Sequence, residues 1–253
     1  MEAIRIPEKM KILSGAGLKW IAIITMLIDH SAKAILYIGY LKPRSPLTRG
    51  TALFDLYEFY RILRGVGRIA FPIFCFFLVQ GFLYTRSRAK YAMRLFLFAL
   101  ISEFPFNLGL HDRLFYRHHQ NVYFTLFLGL LMIWLWDRIA GKLRNPAVAI
   151  IFQAAEAAAL CYLAYFFKTD YRHKGMILIL VFYLLHQLLP LSVAGGAVVM
   201  YWEWPWVLIA FPLLLLYNGK RGKQNKYFFY AFYPAHLILI YLISLAVRSW
   251  LPA

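Results

Sequence analysis

Nine runs of apolar residues, several of them about 20 residues long, constrain this chain more than any other feature. They fall at 18–40, 67–85, 91–110, 121–138, 147–167, 174–190, 191–203, 204–217 and 227–248. A run of about 20 such residues matches the ~30 Å hydrocarbon core of a bilayer when coiled as a helix. Backbone exposed to lipid must satisfy its own N–H and C=O groups, and these runs lack the alternation of a membrane barrel. The expectation is an all-α fold, a polytopic transmembrane helical bundle forming one domain over residues 1–253. It has about nine spans, or eight if 191–217 is one kinked helix, because Glu203 and Pro205 divide that stretch.

Composition agrees with the run lengths. Of the 253 residues 62% are hydrophobic and 15% charged, too few polar side chains to cover a water-facing surface of this size. The formal charge of +17 would suit a nucleic-acid binder in a soluble protein, but the bases lie between apolar runs. There they meet anionic membrane lipids and set orientation, so no nucleic acid partner is expected. Arg86, Arg88, Lys90 and Arg94 follow the second run, Arg138, Lys142 and Arg144 the fourth, and Lys220, Arg221, Lys223 and Lys226 the eighth. Together with Arg5, Lys9 and Lys11 they predict a cytoplasmic N-terminus and, with nine spans, a C-terminus outside. Cys75 and Cys161 both sit inside apolar runs, which indicates neither a disulfide framework nor a thiolate metal site. His118 and His119 are adjacent, with no acidic or cysteine partner at ligand spacing, so no metal is expected.

Ionisable residues inside the runs carry the chemical information. Asp29, Lys33 and Glu103 would each cost about 2.5–3.5 kcal/mol at mid-span if unpaired, so each needs a partner or water. A packed polar core is the plain reading, and a site is the sharper one. Lys19 precedes His30 by eleven positions, close to three helical turns and about 16 Å, which sets a cation at the mouth above a buried imidazole. Neutral imidazole there can accept a proton from an attacking group or take an acyl group itself. Asp29 stands one turn from Lys33 and is expected to pair with it. Arg61, Arg64 and Arg68 form a stripe able to hold a carboxylate or phosphate or to face lipid phosphates, and Glu103 is a possible partner of Arg68. Tyr233 and His236 share a helical face near the C-terminus, where aromatic anchoring is an equally ordinary role.

The segments LKWIAIITMLIDH, GRIAFPIFCFFLVQGF, ISEFPFNLG, QNVYFTL, TDYRHKG, YNGKRG and YFFYAFYPAHL resemble, in order and along nearly the whole chain, the TraX family. That family is similar in turn to the larger transmembrane acyltransferase family 3, marked by a basic residue, ten intervening positions and a histidine, which Lys19 and His30 match. The resemblance implies an enzyme that moves acetyl from cytoplasmic acetyl-CoA to an amine or hydroxyl acceptor at or across the membrane. The acceptor class implied is a pilin N-terminus or another cell-envelope acceptor, protein or glycan. In this reading His30 is general base or acyl carrier, with Asp29 beside it, and Arg68, Glu103, Asn121, Tyr233 and His236 line the path. Lys19, Arg86, Arg88, Lys220 and Arg221 would receive the phosphates of coenzyme A. Gln80 and Asn107 depart from the Glu and Asp common in relatives and receive no role. A secondary transporter that uses the same buried groups as a proton or substrate pathway is the alternative. Oligomeric state is not indicated.

Overall fold

A computed structural model describes residues 7–44 and 47–250; Arg5, counted above with the basic N-terminus, lies outside them. Among the described residues ten α-helices make up the bundle: α1 Gly15–Ser31, α2 Ala52–Gly67, α3 Ala70–Tyr84, α4 Arg88–His111, α5 Val122–Lys142, α6 Pro146–Phe166, α7 Arg172–Leu184, α8 Leu189–Val199, α9 Ala210–Leu215 and α10 Lys226–Ser249. Among the described residues there is no β-strand. The long helices begin where short polar side chains can cap free backbone N–H groups. Ser14, Thr51, Ser87, Asn121, Asn145 and Asn225 each accept a hydrogen bond from a first-turn amide. α4 stops at Asp112, whose left-handed backbone (φ 58°) ends the helix.

Six helical stretches are long and apolar enough to cross a bilayer: Gly15–Arg44, Ala52–Tyr84, Arg88–His111, Val122–Lys142, Pro146–Phe166 and Tyr227–Ser249. Leu189–Val199 and Trp206–Leu215 are shorter apolar helices, and α7, at 13 residues, is likewise below the usual crossing length. The 191–217 segment is two pieces: α8 ends at Val199, short 3-10 turns occupy 201–203 and 206–209, and α9 returns. Two sequence boundaries move. The first span continues past Ser31 as a π-helix, Ala32–Leu41, and the predicted 67–85 span is only the second half of a 33-residue apolar stretch that begins at Ala52. Its first half was hidden because Asp55, Glu58, Arg61 and Arg64 interrupt the hydropathy while the helix pattern persists.

Opposite ends of the bundle can be told apart by contacts. Leu13 bridges Tyr217, and the amides of Gly15 and Ala16 donate to the carbonyls of Lys220 and Arg221 at 2.8 and 2.9 Å. Arg88 pairs with Asp137, which brings the start of α4 to the end of α5. We call this end the near face. At the far face Gln120 bridges Thr169, and Arg248 at the end of α10 pairs with Asp112 at 2.8 Å. The basic clusters around Arg86, Lys142 and Lys220 therefore share the face on which α1 starts.

The interior is a layer of large apolar side chains: Phe82, Phe106, Phe182, Ile73, Leu130 and Ile179 are almost wholly enclosed. Exposed Ile150, Ile151 and Phe152 on α6, and Leu239 and Leu242 on α10, suit a lipid surround. Two close approaches need glycine. A methyl group on Gly67 would overlap the Asp29 side chain, and one on Gly129 would overlap Ile179. Gly67→Ala is expected to destabilise the fold by about 1–3 kcal/mol through overpacking, seen as a lower melting midpoint of the detergent-purified protein.

Candidate active site

His30 stands midway along the 30-residue stretch Gly15–Arg44, one residue before α1 ends and the π-helix starts. Its ring lies end to end with that of His236 from α10, with centroids 5.1 Å apart and planes 6° from parallel, and Tyr233 meets it edge-on. His30 Nδ1 lies 2.8 Å from His236 Nε2, while His236 Nδ1 lies 2.8 Å from the carbonyl oxygen of Phe232. A carbonyl can only accept. His236 Nδ1 therefore donates to Phe232, His236 Nε2 accepts, and His30 Nδ1 must donate to it. With His30 in its neutral form, its Nε2 keeps a free lone pair. That nitrogen faces Asp29 Oδ2 at 3.9 Å.

Asp29 is anchored from outside its own helix. An Arg64 guanidinium nitrogen sits 2.7 Å from Asp29 Oδ1, joining α2 to α1 where Gly67 lets the two backbones approach. The expected Asp29–Lys33 pair does not form. α-helical hydrogen bonding ends at Ser31, so Lys33 leaves the face of Asp29 and its ammonium lies 4.5 Å over the ring of Tyr37. Arg68 caps α2 at the junction with α3 and pairs with Glu203 (3.4 Å) from the turn between α8 and α9; its guanidinium also donates to the Tyr171 hydroxyl at 3.4 Å. Its expected partner Glu103 is occupied elsewhere. Glu103 Oε2 accepts from the backbone amide and side-chain Nδ2 of Asn121, at 3.2 and 2.6 Å, and the same Nδ2 donates to the Ala99 carbonyl.

Glu103 and Asn121 thus form a clamp between α4 and α5. They connect to the imidazole pair through ring contacts, Tyr123 with Tyr233 at 5.2 Å and Tyr233 with His30 at 6.0 Å. Asn121→Ala removes the Nδ2 donor to Glu103 Oε2 and the side-chain cap on the Tyr123 amide, leaving only the backbone N–H of residue 121 on that carboxylate. We expect a loss of about 1–3 kcal/mol, measurable as a fall in thermal midpoint.

The predicted donor-side residues separate into two groups. Lys19 Nζ hydrogen bonds to Gln224 Oε1 at 3.0 Å and lies 5.0 Å over Phe77, beside the loop that carries exposed Lys220 and Arg221. These three gather at one near-face mouth, and Lys19 and His30 both face α10. Arg88 is committed to Asp137 and to the Phe82 ring, whereas Arg86 is exposed.

At the far face two cavities open. The larger, about 480 Å³, is floored by Arg68, Tyr171 and Glu203, and the smaller, about 210 Å³, is walled by Lys33, Tyr37 and Arg113; His111 and Tyr116 line both. Asp170 lies in the larger one, 3.2 Å from His119 Nε2, and its backbone carbonyl accepts from Thr125 Oγ1. Burial alone would push the Asp170 carboxyl up, but the His119 hydrogen bond and the charges of His119, Arg68 and Arg64 hold it below the usual carboxylate range. His118 bonds to Lys168 Nζ at 3.0 Å.

Sequence reading missed three members of this polar system. Asp170 sat unremarked in the short polar interlude TDYRHKG between two apolar runs, Tyr171 beside it, and Glu203 was noted only as a break in an apolar run. A carboxylate in a short polar interlude, in a chain with 28 Lys and Arg against 11 Asp and Glu, was the available signal.

Comparison with known proteins adds a family and a relative. The family model described as TraX protein matches residues 14–244. The chain is similar to a protein described as a probable fimbrial assembly protein FimC, serogroup H1, from Dichelobacter nodosus, with 30% identity over 262 residues, 90% of this chain and 94% of that protein. No solved structure matches.

Proposed function

Because the chain belongs to the TraX family, we propose that it is a membrane acyltransferase, moving acetyl from acetyl-CoA at the near face to an amine or hydroxyl acceptor delivered from the far face. The observation that carries this reading is the tautomer chain Phe232 carbonyl, His236, His30, which leaves a lone pair on His30 Nε2. Nε2 takes the proton of the acceptor O–H or N–H as the heteroatom attacks the thioester carbonyl. A C–O or C–N bond forms, the C–S bond breaks, and the proton passes from imidazolium to the departing coenzyme A thiolate. Asp29, 3.9 Å from Nε2, stabilises the transient imidazolium, and Arg64 keeps that carboxylate in place. His236 holds the ring by its other nitrogen, the orienting role that a third group plays in nucleophile–base pairs.

Lys19, Lys220 and Arg221 supply cations where the nucleotide phosphates of the donor would dock. We read the near face as cytoplasmic, which the gathering of basic clusters on that face supports. Cysteines placed in the Arg113–His119 loop and in the Gly219–Lys223 loop should then react with an impermeant maleimide from opposite sides of sealed vesicles. Labelling from one side only would refute the orientation. The printed description of the similar FimC protein, fimbrial assembly, supports a pilin subunit or another envelope component as acceptor.

The test incubates purified protein in liposomes with radiolabelled acetyl-CoA and follows thiol release and label transfer to envelope extract. Thioester consumption coupled to label transfer is expected. Uptake of a solute without thioester consumption would point instead to a transporter that uses Asp29, Arg64 and His30 as its pathway.

A further inference from the structure

Charge is distributed unevenly around the two far-face cavities. The smaller is lined by Lys33, Lys42 and Arg113 with no carboxylate. The larger contains Arg68, Arg172 and Lys174 against Asp170 and Glu203, and both of those acids already have partners, His119 and Arg68. Six basic side chains therefore surround two cavities that share His111 and Tyr116 and whose two acids are already engaged. Lys174 lies 4.1 Å over the Trp202 ring, which leaves the ammonium without an ion-pair partner among the described residues. The backbone of this wall is held in an uncommon conformation: Lys168, Tyr171 and Arg172 have φ of 55°, 60° and 46° without being glycine. Such strain persists where surrounding structure enforces it, and it concentrates at binding sites.

The basin draws on the same helices as the catalytic residues. Lys33 follows His30 by three positions on the same helical stretch. Arg68 on the floor is one turn from Arg64, the partner of Asp29. The larger cavity, about 480 Å³, is within the range of about 300–1,000 Å³ typical of small-molecule sites.

On this basis, and resting on the acyltransferase reading above, we infer that the far-face basin receives the acyl acceptor through an anionic group, a phosphate or a carboxylate, carried beside the nucleophile. Fixed cations in a recessed, partly desolvated site attract an anion strongly and repel a free ammonium. The acceptor class is therefore an anionic hydroxyl compound, such as a phosphorylated or acidic sugar unit, in preference to a cationic amine.

Binding can be measured without any acyl transfer, so failure here leaves the enzyme reading intact. Wild-type protein in phosphatidylcholine nanodiscs would be titrated calorimetrically with glucose 1-phosphate, glucuronate, glucose and glucosamine. We expect the two anionic sugars to bind and glucose and glucosamine to bind at least tenfold more weakly. Lys33→Gln combined with Lys174→Gln should raise the dissociation constant of the anionic sugars at least tenfold, while Lys33→Arg with Lys174→Arg preserves it. Lys220→Gln combined with Arg221→Gln, at the opposite face, should leave it unchanged. Equal binding of glucose and its phosphate, or a constant indifferent to the Lys33/Lys174 pair, overturns the inference. If phosphatidylglycerol in the nanodisc abolishes sugar-phosphate binding competitively, the basin is a lipid headgroup site and the acceptor assignment fails.

Discussion

His30→Ala should lower acetyl-CoA turnover by about 10²–10⁴-fold, the usual contribution of a positioned general base. His30 Nε2 is the lone pair left over once His236 and the Phe232 carbonyl have set the ring's hydrogen. Removing the imidazole removes the proton acceptor, while His236 can still bond to Phe232. The loss should fall on kcat more than on the KM for acetyl-CoA, because in the proposed reading the donor's phosphates would dock about 16 Å away, near Lys19. His236→Gln is the informative companion. A glutamine there can still meet His30 but cannot reproduce the relay to Phe232, so it should retain part of the activity. Single-turnover measurements on the two variants, matched for gel-filtration profile, separate the cases. A His30→Ala enzyme with wild-type kcat removes the assignment.

Arg64→Ala should cost about 3–5 kcal/mol of stability, since it strands Asp29 as an uncompensated carboxylate among packed helices. Asp29→Asn alone loses less, because a neutral amide needs no counter-charge. The combined Asp29→Asn/Arg64→Gln variant should recover much of the loss, in a double-mutant cycle read by thermal unfolding in detergent. If the two single effects simply add, the ion pair contributes nothing beyond its members. The recovered double variant should still turn over slowly, because the carboxylate opposite His30 Nε2 is gone; that outcome separates holding the helices together from assisting the reaction.

Much of the architecture was legible because it follows from hydropathy and helix geometry alone. The run ending at His30 is helical over Gly15–Ser31, so eleven residues of regular rise carry Lys19 and His30 to two levels of one face, both toward α10. Tyr233 and His236 turned toward the same site for the same reason. Partner choice was not legible. Local spacing assigned Asp29 to Lys33, but the helix widens into a π form right after the site and Gly67 admits a neighbouring helix, so Arg64 outcompetes the nearer lysine. Arg68 and Glu103 were matched as the two conspicuous charges, yet each found a partner on an element whose path is set by loops: Glu203 at a turn and Asn121 at a helix cap. The far-face basin is assembled from five separate segments, and no one-dimensional pattern reports such a shape.

The brevity of α7 has a spatial consequence. Thirteen residues rise about 20 Å, against a hydrocarbon slab of about 30 Å. With α8 and α9 shorter still, these three helices reach less than the full depth of such a slab, about two-thirds of it for α7. In the proposed acyl transfer, a thioester arm entering from one side and a nucleophile descending from the other would then have less insulating distance to bridge, and neither would have to leave its own aqueous phase completely.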